Sequence, residues 1–388
     1  MPATRPARLG TAPRWSRLEQ WRRSGHSYDY YDPMQSTRIV WRIDGAGSLD
    51  RLAVREEPLA EPGPGEARVG VRAIGLNFAD LLACLGLYSA TPRGSFVPGL
   101  EAAGVIEAVG PAVSGTTLPF AVGERVMVLT RFGGYATRMN CDTRYLAPVP
   151  AGWSFDQAAA FPVQALTAWY GLVHLGGARA GSVVMVQSAA GGVGLNALAL
   201  LARLGARPIA VVGSRAKIEF LATHTGLPRT QLVLRERRSF GAALDAALHA
   251  LGASGFDLVF DAVLGDSFQP AFVRLAPEGR YLLFGAADFM SSGSRPSWPR
   301  LAWRWLRRPR LDPLAMINSN SGLLAFNLIW LLDSIERVPP AYAALAALGL
   351  PAPHVGARHP FSAARVALNE LQSGHTVGKS VLYIDGPA

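Results

Sequence analysis

A glycine-rich turn, SAAGGVG at residues 188–194, is the stretch whose residue types and spacing most clearly predict chemistry. Small residues stand at the three positions where a dinucleotide-binding turn requires them. They allow the tight turn, the approach of backbone to a pyrophosphate, and the close packing of helix on strand. The N-terminus of the following helix offers N–H groups and a positive dipole end to phosphate. The predicted cofactor-binding residues in this turn are Ala189, Gly191, Gly192, Val193 and Gly194.

The sequence around the turn supports this interpretation. The apolar run VVMVQ precedes it and is typical of a strand buried on both faces. The helical run NALALLARL and a second strand, PIAVVG, follow at the expected distance. The alternative is a tight turn in an α/β sheet with no ligand. The strand–turn–helix–strand order favours a dinucleotide site.

The stretch GSRAK at residues 213–217 ends the second strand and predicts which cofactor binds. NAD-binding proteins usually place Asp or Glu there to hold the ribose 2′-OH. Here Ser214, Arg215 and Lys217 stand instead, and a hydroxyl with two cations suits a 2′-phosphate. We therefore predict NADPH rather than NADH. In the alternative, Arg215 and Lys217 are ordinary cations on the next helix.

The elements that must position these residues fall into two groups. The chain has 388 residues, more than one hydrophobic core usually serves. From Arg38 to about Val149, short strands and frequent Gly and Pro predict a β-rich domain. From about Phe161, strands alternate with helices, which predicts a doubly wound parallel sheet. The predicted fold class is therefore α/β.

The bulk composition restricts the function. The net charge is +10, but the arginines are scattered and no nucleic-acid-binding motif is present, so we predict no nucleic-acid partner. Two cysteines without a CxxC pair exclude a four-cysteine zinc site and favour a cytoplasmic, reducing compartment. Residues 1–33 form a basic extension that we expect to be mostly disordered. It is either a targeting peptide or the product of an upstream start codon, with the domain proper opening at Met34.

Two further segments allow more than one interpretation. Residues 291–313 are rich in Arg, Trp and Pro, which fits either a membrane-surface patch or a solvated loop with Trp packed on the sheet. The longest apolar run, Gly322 to Leu332, is shorter than a membrane span requires. We expect it to form a buried helix.

No metal site is predicted. A catalytic zinc needs three Cys, His or carboxylate ligands, and neither cysteine has a histidine at a plausible spacing. The GxSxG elbow of serine hydrolases is also missing from the sequence.

Several linked motifs resemble the medium-chain dehydrogenase/reductase superfamily, and most closely its zinc-free quinone oxidoreductases and vesicle amine transport protein-like branch. The similarity extends from about Gln35 to Asp385. The matching motifs are AIGLNFADLLACLGLY (73–88), PGLEAAGVIEAVG (98–110), GERVMVL (123–129), GGYATRM (133–139), AAAFPVQALTAW (158–169), VQSAAGGVG (186–194), PLAMINSNSGLLAFNLIWL (313–331) and VGKSVL (377–382).

This resemblance implies a fold and a domain arrangement. Residues 34–160 and 311–388 would form a GroES-like substrate domain, and residues 161–310 a Rossmann-type dinucleotide-binding domain. Zinc-bearing members place ligands where this chain has Asn77 and Leu100. Glu101, next to them, is then expected to have no partners and a structural role.

The resemblance also implies roles for single residues. Asn77 would lie beside the nicotinamide, Thr167 would face the same pocket, and Tyr88 would line the substrate side or pack as a core aromatic. The family often has Tyr near the position of Arg235, and in this chain, which departs from that pattern, Arg235 would take over the contact with the adenosine 2′-phosphate. Lys379 would approach the cofactor or lie on the surface.

Without a metal, nothing polarises an alcohol or a simple ketone, so an already activated acceptor is the simpler substrate. The prediction is an NADPH-dependent reductase that transfers hydride to a quinone or an α,β-unsaturated carbonyl, a small-molecule electron acceptor, and it is expected to be a homodimer. The alternatives are an NADPH-binding protein with little or no catalysis that acts at a membrane surface and, less favoured, a zinc-dependent alcohol dehydrogenase.

Overall fold

The computed structural model describes residues 36–113, 119–290 and 293–385, so the predicted extension at residues 1–33 lies outside the described residues. Strands and helices share the described chain. The strands are β1 (Thr37–Asp44), β2 (Leu52–Pro58), β3 (Glu66–Gly75), β4 (Ser95–Phe96), β5 (Glu101–Val109), β6 (Arg125–Leu129), β7 (Arg138–Asp142), β8 (Leu146–Pro148), β9 (Val183–Gln187), β10 (Arg207–Val212), β11 (Leu232–Leu234), β12 (Phe256–Asp261), β13 (Leu275–Leu283), β14 (Gly322–Ala325), β15 (Val355–Pro360) and β16 (Lys379–Tyr383). The α-helices are α1 (Phe78–Cys84), α2 (Phe155–Ala159), α3 (Pro162–Trp169), α4 (Gly192–Arg203), α5 (Arg215–His224), α6 (Phe240–Ala250), α7 (Phe268–Phe272), α8 (Trp298–Leu306), α9 (Pro313–Ser319), α10 (Val338–Leu348) and α11 (Ala364–Ser373).

A six-stranded parallel sheet carries the glycine-rich turn. Its strand order is β11-β10-β9-β12-β13-β14. All five residues of the central strand β9 are buried, as the unbroken apolar run predicts. The chain order reverses beside β9, because β10 lies on one side of it and β12 on the other. In such sheets ligands bind outside the carboxyl ends of the strands at this switch point.

The predicted helix at Gly322 to Leu332 is wrong, and so is the domain boundary at residue 311 for this part of the chain. Gly322–Ala325 is strand β14, which pairs in parallel with β13 of the parallel sheet. The chain then turns, and the Asn327 side chain caps a 3-10 helix at Leu328–Asp333. The prediction failed because a short apolar run has no periodicity that separates a buried strand from a helix.

The β-rich domain contains two sheets, antiparallel except for the parallel pair β15–β16. One sheet has the order β15-β16-β3-β5-β6-β8 with β7 also paired to β3, and a smaller one has the order β2-β1-β4. The last strand, β16, pairs antiparallel with β3, so that Val381 lies opposite Gly75. The end of the chain therefore returns to the sheet formed by its beginning. Together with the parallel sheet, this confirms the predicted α/β fold class.

Candidate active site

The glycine-rich turn adopts a tight conformation between β9 and α4. Ser188 has a positive φ of 52°, and α4 begins at Gly192 directly after the extended Gly191. A Cβ atom on Gly194 would lie 2.5 Å from the Ser188 carbonyl oxygen and 2.6 Å from Ala189 Cα. Only glycine therefore lets the helix pack this closely on the strand. The first N–H groups of α4 lie beside the turn, where a phosphate would meet them.

The closing segment of the chain contacts this turn. The Gly378 N–H donates a hydrogen bond to the Ala190 carbonyl over 2.8 Å, and Gly191 and Gly378 form a parallel bridge. Gly192 faces Gln164 of α3, because an added Cβ would lie 2.8 Å from the Gln164 Oε1 atom. The turn is thus in contact both with α3 and with the closing segment of the chain.

Directly behind this contact lies a buried polar cluster formed by Asn77, Glu101, Gln164 and Lys379. Lys379 Nζ donates to Glu101 Oε1 at 2.5 Å and to Asn77 Oδ1 at 2.8 Å. Gln164 Nε2 donates to the same Asn77 oxygen at 2.7 Å, and Asn77 Nδ2 donates to Glu101 Oε1 at 2.9 Å. Lys379 is 3% exposed and Glu101 is fully buried.

Two expectations about this cluster are corrected. Glu101 is not without partners, because it accepts bonds from Lys379, Asn77 and the Val163 N–H. Lys379 is not a surface residue, because its side chain is buried. Its ammonium group and the Glu101 carboxylate compensate each other's charge there. Burial lowers the pKa of Lys379, while the charge of Glu101 opposes that shift.

Asp80 extends the cluster through the start of α1. It accepts a hydrogen bond from the Asn77 N–H at 2.8 Å and one from the Tyr135 hydroxyl at 3.2 Å. Burial raises the pKa of Asp80 to about 7. Asp80 therefore caps α1 and orients Asn77, whose amide already bonds to Gly75, Glu101, Gln164 and Lys379.

Gln164 and Asp80 are missing from the predicted site. Gln164 is a buried polar residue within the mostly apolar run PVQALTAW, and a buried polar group of that kind needs hydrogen-bond partners. Asp80 stands three residues after Asn77, the spacing of a capping box. Both signals were present in the sequence, but neither identifies the partners.

The predicted phosphate-binding residues lie at the ends of β10 and β11. The Ser214 side chain caps α5 by accepting from the Lys217 N–H, and Arg215 is exposed at the first position of that helix. Burial lowers the pKa of Lys217, and the nearby charge of Arg235 lowers it further. The pKa of Arg235 is also lowered by burial.

These cations have neutral partners. Lys217 Nζ donates to the Gly374 carbonyl at 2.6 Å, and Arg235 donates to Gln187 Oε1 at 3.1 Å. Neither of them forms an ion pair among the described residues. Gln187, the last residue of β9, is buried, and its Nε2 has no partner in the described part of the chain.

The remaining predicted residues lie toward β14. Tyr88 donates its hydroxyl to Asn327 Oδ1 at 2.8 Å, and burial raises the pKa of Tyr88 to about 12. Thr167 is buried in α3, one turn after Gln164 and on the same face. The Tyr88 hydroxyl thus contacts the segment after β14.

A cavity of about 290 Å³ opens next to Asn327. The cavity lies after the carboxyl end of β14, and its lining combines aromatic rings with polar side chains. The Arg131 guanidinium stacks over the Trp330 ring, 5.2 Å from its centre. The lining residues are Tyr170, Ala325, Phe326, Asn327, Trp330, Leu331, Ser334 and Arg337.

A zinc ion does not fit this site. Within the described ranges, no three His, Cys, Asp or Glu side chains lie close enough together to hold a metal. Asn77 and Leu100 offer neither thiolate nor imidazole, and Glu101 is already neutralised by Lys379.

Comparisons with known proteins agree with this architecture. The "Alcohol dehydrogenase GroES-like domain" family matches residues 63–151, and the "Zinc-binding dehydrogenase" family matches residues 240–382. The human synaptic vesicle membrane protein VAT-1 homolog is 31% identical over 354 residues, covering 89% of this chain and 86% of the human protein.

Two solved quinone oxidoreductases have the same fold. One from Thermus thermophilus, also solved with NADPH, has 29% identity and a TM-score of 0.68, and covers 89% of this chain and 99% of its own. A mycobacterial one has 28% identity, a TM-score of 0.70 and the same coverages of 89% and 99%.

A GroES-like domain combined with a Rossmann-type sheet defines a class of two-domain dehydrogenases and reductases. The resemblance inferred from the motifs is confirmed by the comparisons. The chain belongs to the medium-chain dehydrogenase/reductase superfamily, in the branch of the VAT-1 homologues and quinone oxidoreductases. It is thus a member of an oxidoreductase family.

Proposed function

We propose that this protein is an NADPH-dependent reductase that transfers hydride to a quinone or an α,β-unsaturated carbonyl without a metal. One observation carries the proposal. The carboxyl edge of the parallel sheet has a site with two cations at β10 and β11 and an aromatic cavity after β14, with the glycine-rich turn between them.

The residues at the β10 end fit NADPH. Lys217 and Arg235 are two partly desolvated cations near each other, which costs free energy unless an anion is placed between them. A 2′-phosphate is such an anion, and Ser214 adds a hydroxyl. The free Nε2 of Gln187 is a further donor next to Arg235. The glycine-rich turn would bind the pyrophosphate.

The protein's own residues would mainly position the reactants. NADPH supplies a hydride when it is bound. Lys379, Glu101 and Gln164 would hold the amide of Asn77 in one orientation, because all of these groups are buried and hydrogen-bonded. Thr167 lies on the face of α3 that carries Gln164. Tyr88 and Asn327 form a hydrogen-bonded pair whose hydroxyl and amide lie near the acceptor cavity.

The proposed acceptor is already activated, because the described residues offer no set of ligands for a metal that would polarise it. Quinones and enones meet this demand, since their conjugation stabilises the charge that develops during hydride transfer. The rings of Tyr170, Phe326 and Trp330 suit a flat, conjugated molecule. The proton that completes the reduction would come from water.

The expected homodimer and the cytoplasmic location are part of this proposal. β14 is an edge strand of the parallel sheet, with Leu324 exposed, and an unpaired edge is a template for a second chain. We propose that two copies pair through this edge.

Oxidation of NADPH in the presence of a panel of quinones and 2-alkenals tests the function. We expect turnover with at least one acceptor, and slower turnover when NADH replaces NADPH. Cofactor binding is measured in parallel by fluorescence titration. Tight NADPH binding with no turnover over the panel would contradict the reductase and favour a cofactor-binding protein. Failure to bind NADPH would contradict both.

A further inference from the structure

Helix α8 (Trp298–Leu306) presents most of its apolar residues to solvent. Trp298 is 66% exposed, Trp305 is 60% exposed and Leu306 is 69% exposed. These residues and Ala302 follow the spacing i, i+4, i+7, i+8, so they share one face of the helix. Surface helices of globular proteins normally turn such a face toward the core. An outward apolar face therefore needs another explanation.

The side of α8 that faces the protein is centred on Arg304, while Arg300 and Arg307 are exposed. Arg304 is half-buried and forms an ion pair with Asp288, which follows strand β13. Leu301 and Arg308 are also partly covered. The helix is thus anchored through an arginine, and its orientation is fixed with the tryptophans outside.

Arginines surround the exposed rings. Arg307 stacks over the Trp303 ring at 4.7 Å, and Arg308 stacks over the Trp305 ring at 4.0 Å. Tryptophan and arginine together are typical of the boundary between water and lipid, where the ring enters the headgroup region and the guanidinium meets phosphate.

The charge of the segment is unbalanced. Residues 295–310 contain six arginines and no aspartate or glutamate. Among the described residues, only Arg295 and Arg304 of these six form ion pairs. Four positive charges therefore remain uncompensated around one apolar helix face. The N-terminal residues 1–33 are also net basic, so they do not supply the complementary charge.

We propose that α8 and the arginines after it bind the surface of an anionic bilayer, with the apolar face of α8 lying in the headgroup region. Burial of Trp298, Trp305 and Leu306 and attraction of the arginines to lipid phosphate act together in such binding. The protein would lie on the membrane rather than cross it. In the described part of the chain, no helix is long and apolar enough to cross a bilayer.

Co-sedimentation of the full chain with vesicles tests this. One set contains phosphatidylcholine alone and the other contains phosphatidylcholine with phosphatidylglycerol. We expect binding to the anionic vesicles that weakens with added NaCl. The double variant Trp298→Ser/Trp305→Ser should weaken binding at least about tenfold, and Arg307→Ser/Arg308→Ser by about tenfold or more.

The matched controls are Val273→Ser and Arg179→Ser, which remove an exposed apolar side chain and an exposed arginine elsewhere. Both should bind like the unmodified protein. Thermal melting confirms that each variant folds, and light scattering gives its oligomeric state. Equal binding to both vesicle types, or undiminished binding of the two α8 variants, would overturn the proposal. A dimer that dissociates in the tryptophan variant, with no lipid binding in either form, would instead identify this face as a contact between copies.

Discussion

At the scale of single residues, the Lys379–Glu101 pair holds the candidate site together. The two groups lie 278 positions apart in the chain and meet away from solvent. Breaking a buried ion pair leaves one uncompensated charge, which costs more than removing both. The pair therefore links the last strand of the chain to the first half of the β-rich domain.

A double-mutant cycle checks this link. Lys379→Met should lower the free energy of unfolding by about 3–5 kcal/mol, because it leaves Glu101 charged and buried. Adding Glu101→Gln should recover part of that loss, because the remaining group is neutral. Urea unfolding of the two single variants and the double variant measures the coupling. If the losses in free energy of unfolding of the two single variants add up in the double variant, the two groups do not depend on each other.

Lys217 is the single residue that tests the prediction of NADPH as the cofactor. Lys217→Glu reverses the charge beside Arg235, so we expect the KM for NADPH to rise by about tenfold or more and that for NADH to change little. Arg179→Glu is the matched control. Arg179 precedes β9, so it lies toward the amino ends of the strands, away from the carboxyl ends where Lys217 lies. An unchanged preference for NADPH in Lys217→Glu would remove Lys217 from the phosphate site.

The sequence predicts some site residues better than others. Lys217 follows the predicted strand PIAVVG, so the parallel sheet itself brings it to the carboxyl ends of the strands. Arg235 follows the three-residue strand β11, which the sequence pattern does not predict, and its candidate role comes from the resemblance. Gln164 and Glu101 lie 63 positions apart, and no local pattern indicates that they meet. Their contact depends on how α3 packs on β5, which periodicity does not specify.

At the scale of elements, helix α1 depends on a buried carboxyl group. The pKa of Asp80 is raised from its ordinary value of 3.8 to about 7. The folded state therefore holds a proton that the unfolded state has lost between about pH 4 and pH 7. Through this group, the free energy of unfolding falls as the pH rises over that range.

Asp80→Asn removes this titration. The stability of the variant relative to the unmodified protein should therefore increase from pH 5 to pH 8, by about 3 kcal/mol at most. Urea unfolding of both proteins at the two pH values gives this difference. The same difference at both pH values would mean that Asp80 is already ionised in the folded protein.

Long elements are predicted well and short apolar ones poorly. The strand β9 and the helix α4 follow from an unbroken apolar run, a glycine-rich turn and a helical pattern. The run from Gly322 to Leu332 divides into β14 and a 3-10 helix, because β13 offers a strand edge and Asn327 offers a cap. The edge of β13 is a tertiary feature and the Asn327 cap is a local one, and the hydrophobic pattern predicts neither.

At the scale of the whole molecule, the exposed edge of β14 predicts the oligomeric state. We expect a dimer of twice 41.3 kDa by light scattering. Leu324→Lys places a charge on the exposed edge strand and should shift the protein toward the monomer. The matched change Val273→Lys adds a charge at an exposed site outside the sheet and should leave the mass unchanged. A monomer in the unmodified protein would contradict pairing through β14.

Transfer of a labelled hydride tests the central claim most directly. The protein is incubated with a 2-alkenal and with NADPH that carries deuterium at the transferable C4 position, and the product is examined by mass spectrometry. We expect deuterium on the β-carbon of the reduced aldehyde, together with one NADP⁺ formed for each product. NADPH that binds to the protein but is not consumed, with no deuterium in the aldehyde and no oxidation by any quinone, would contradict it.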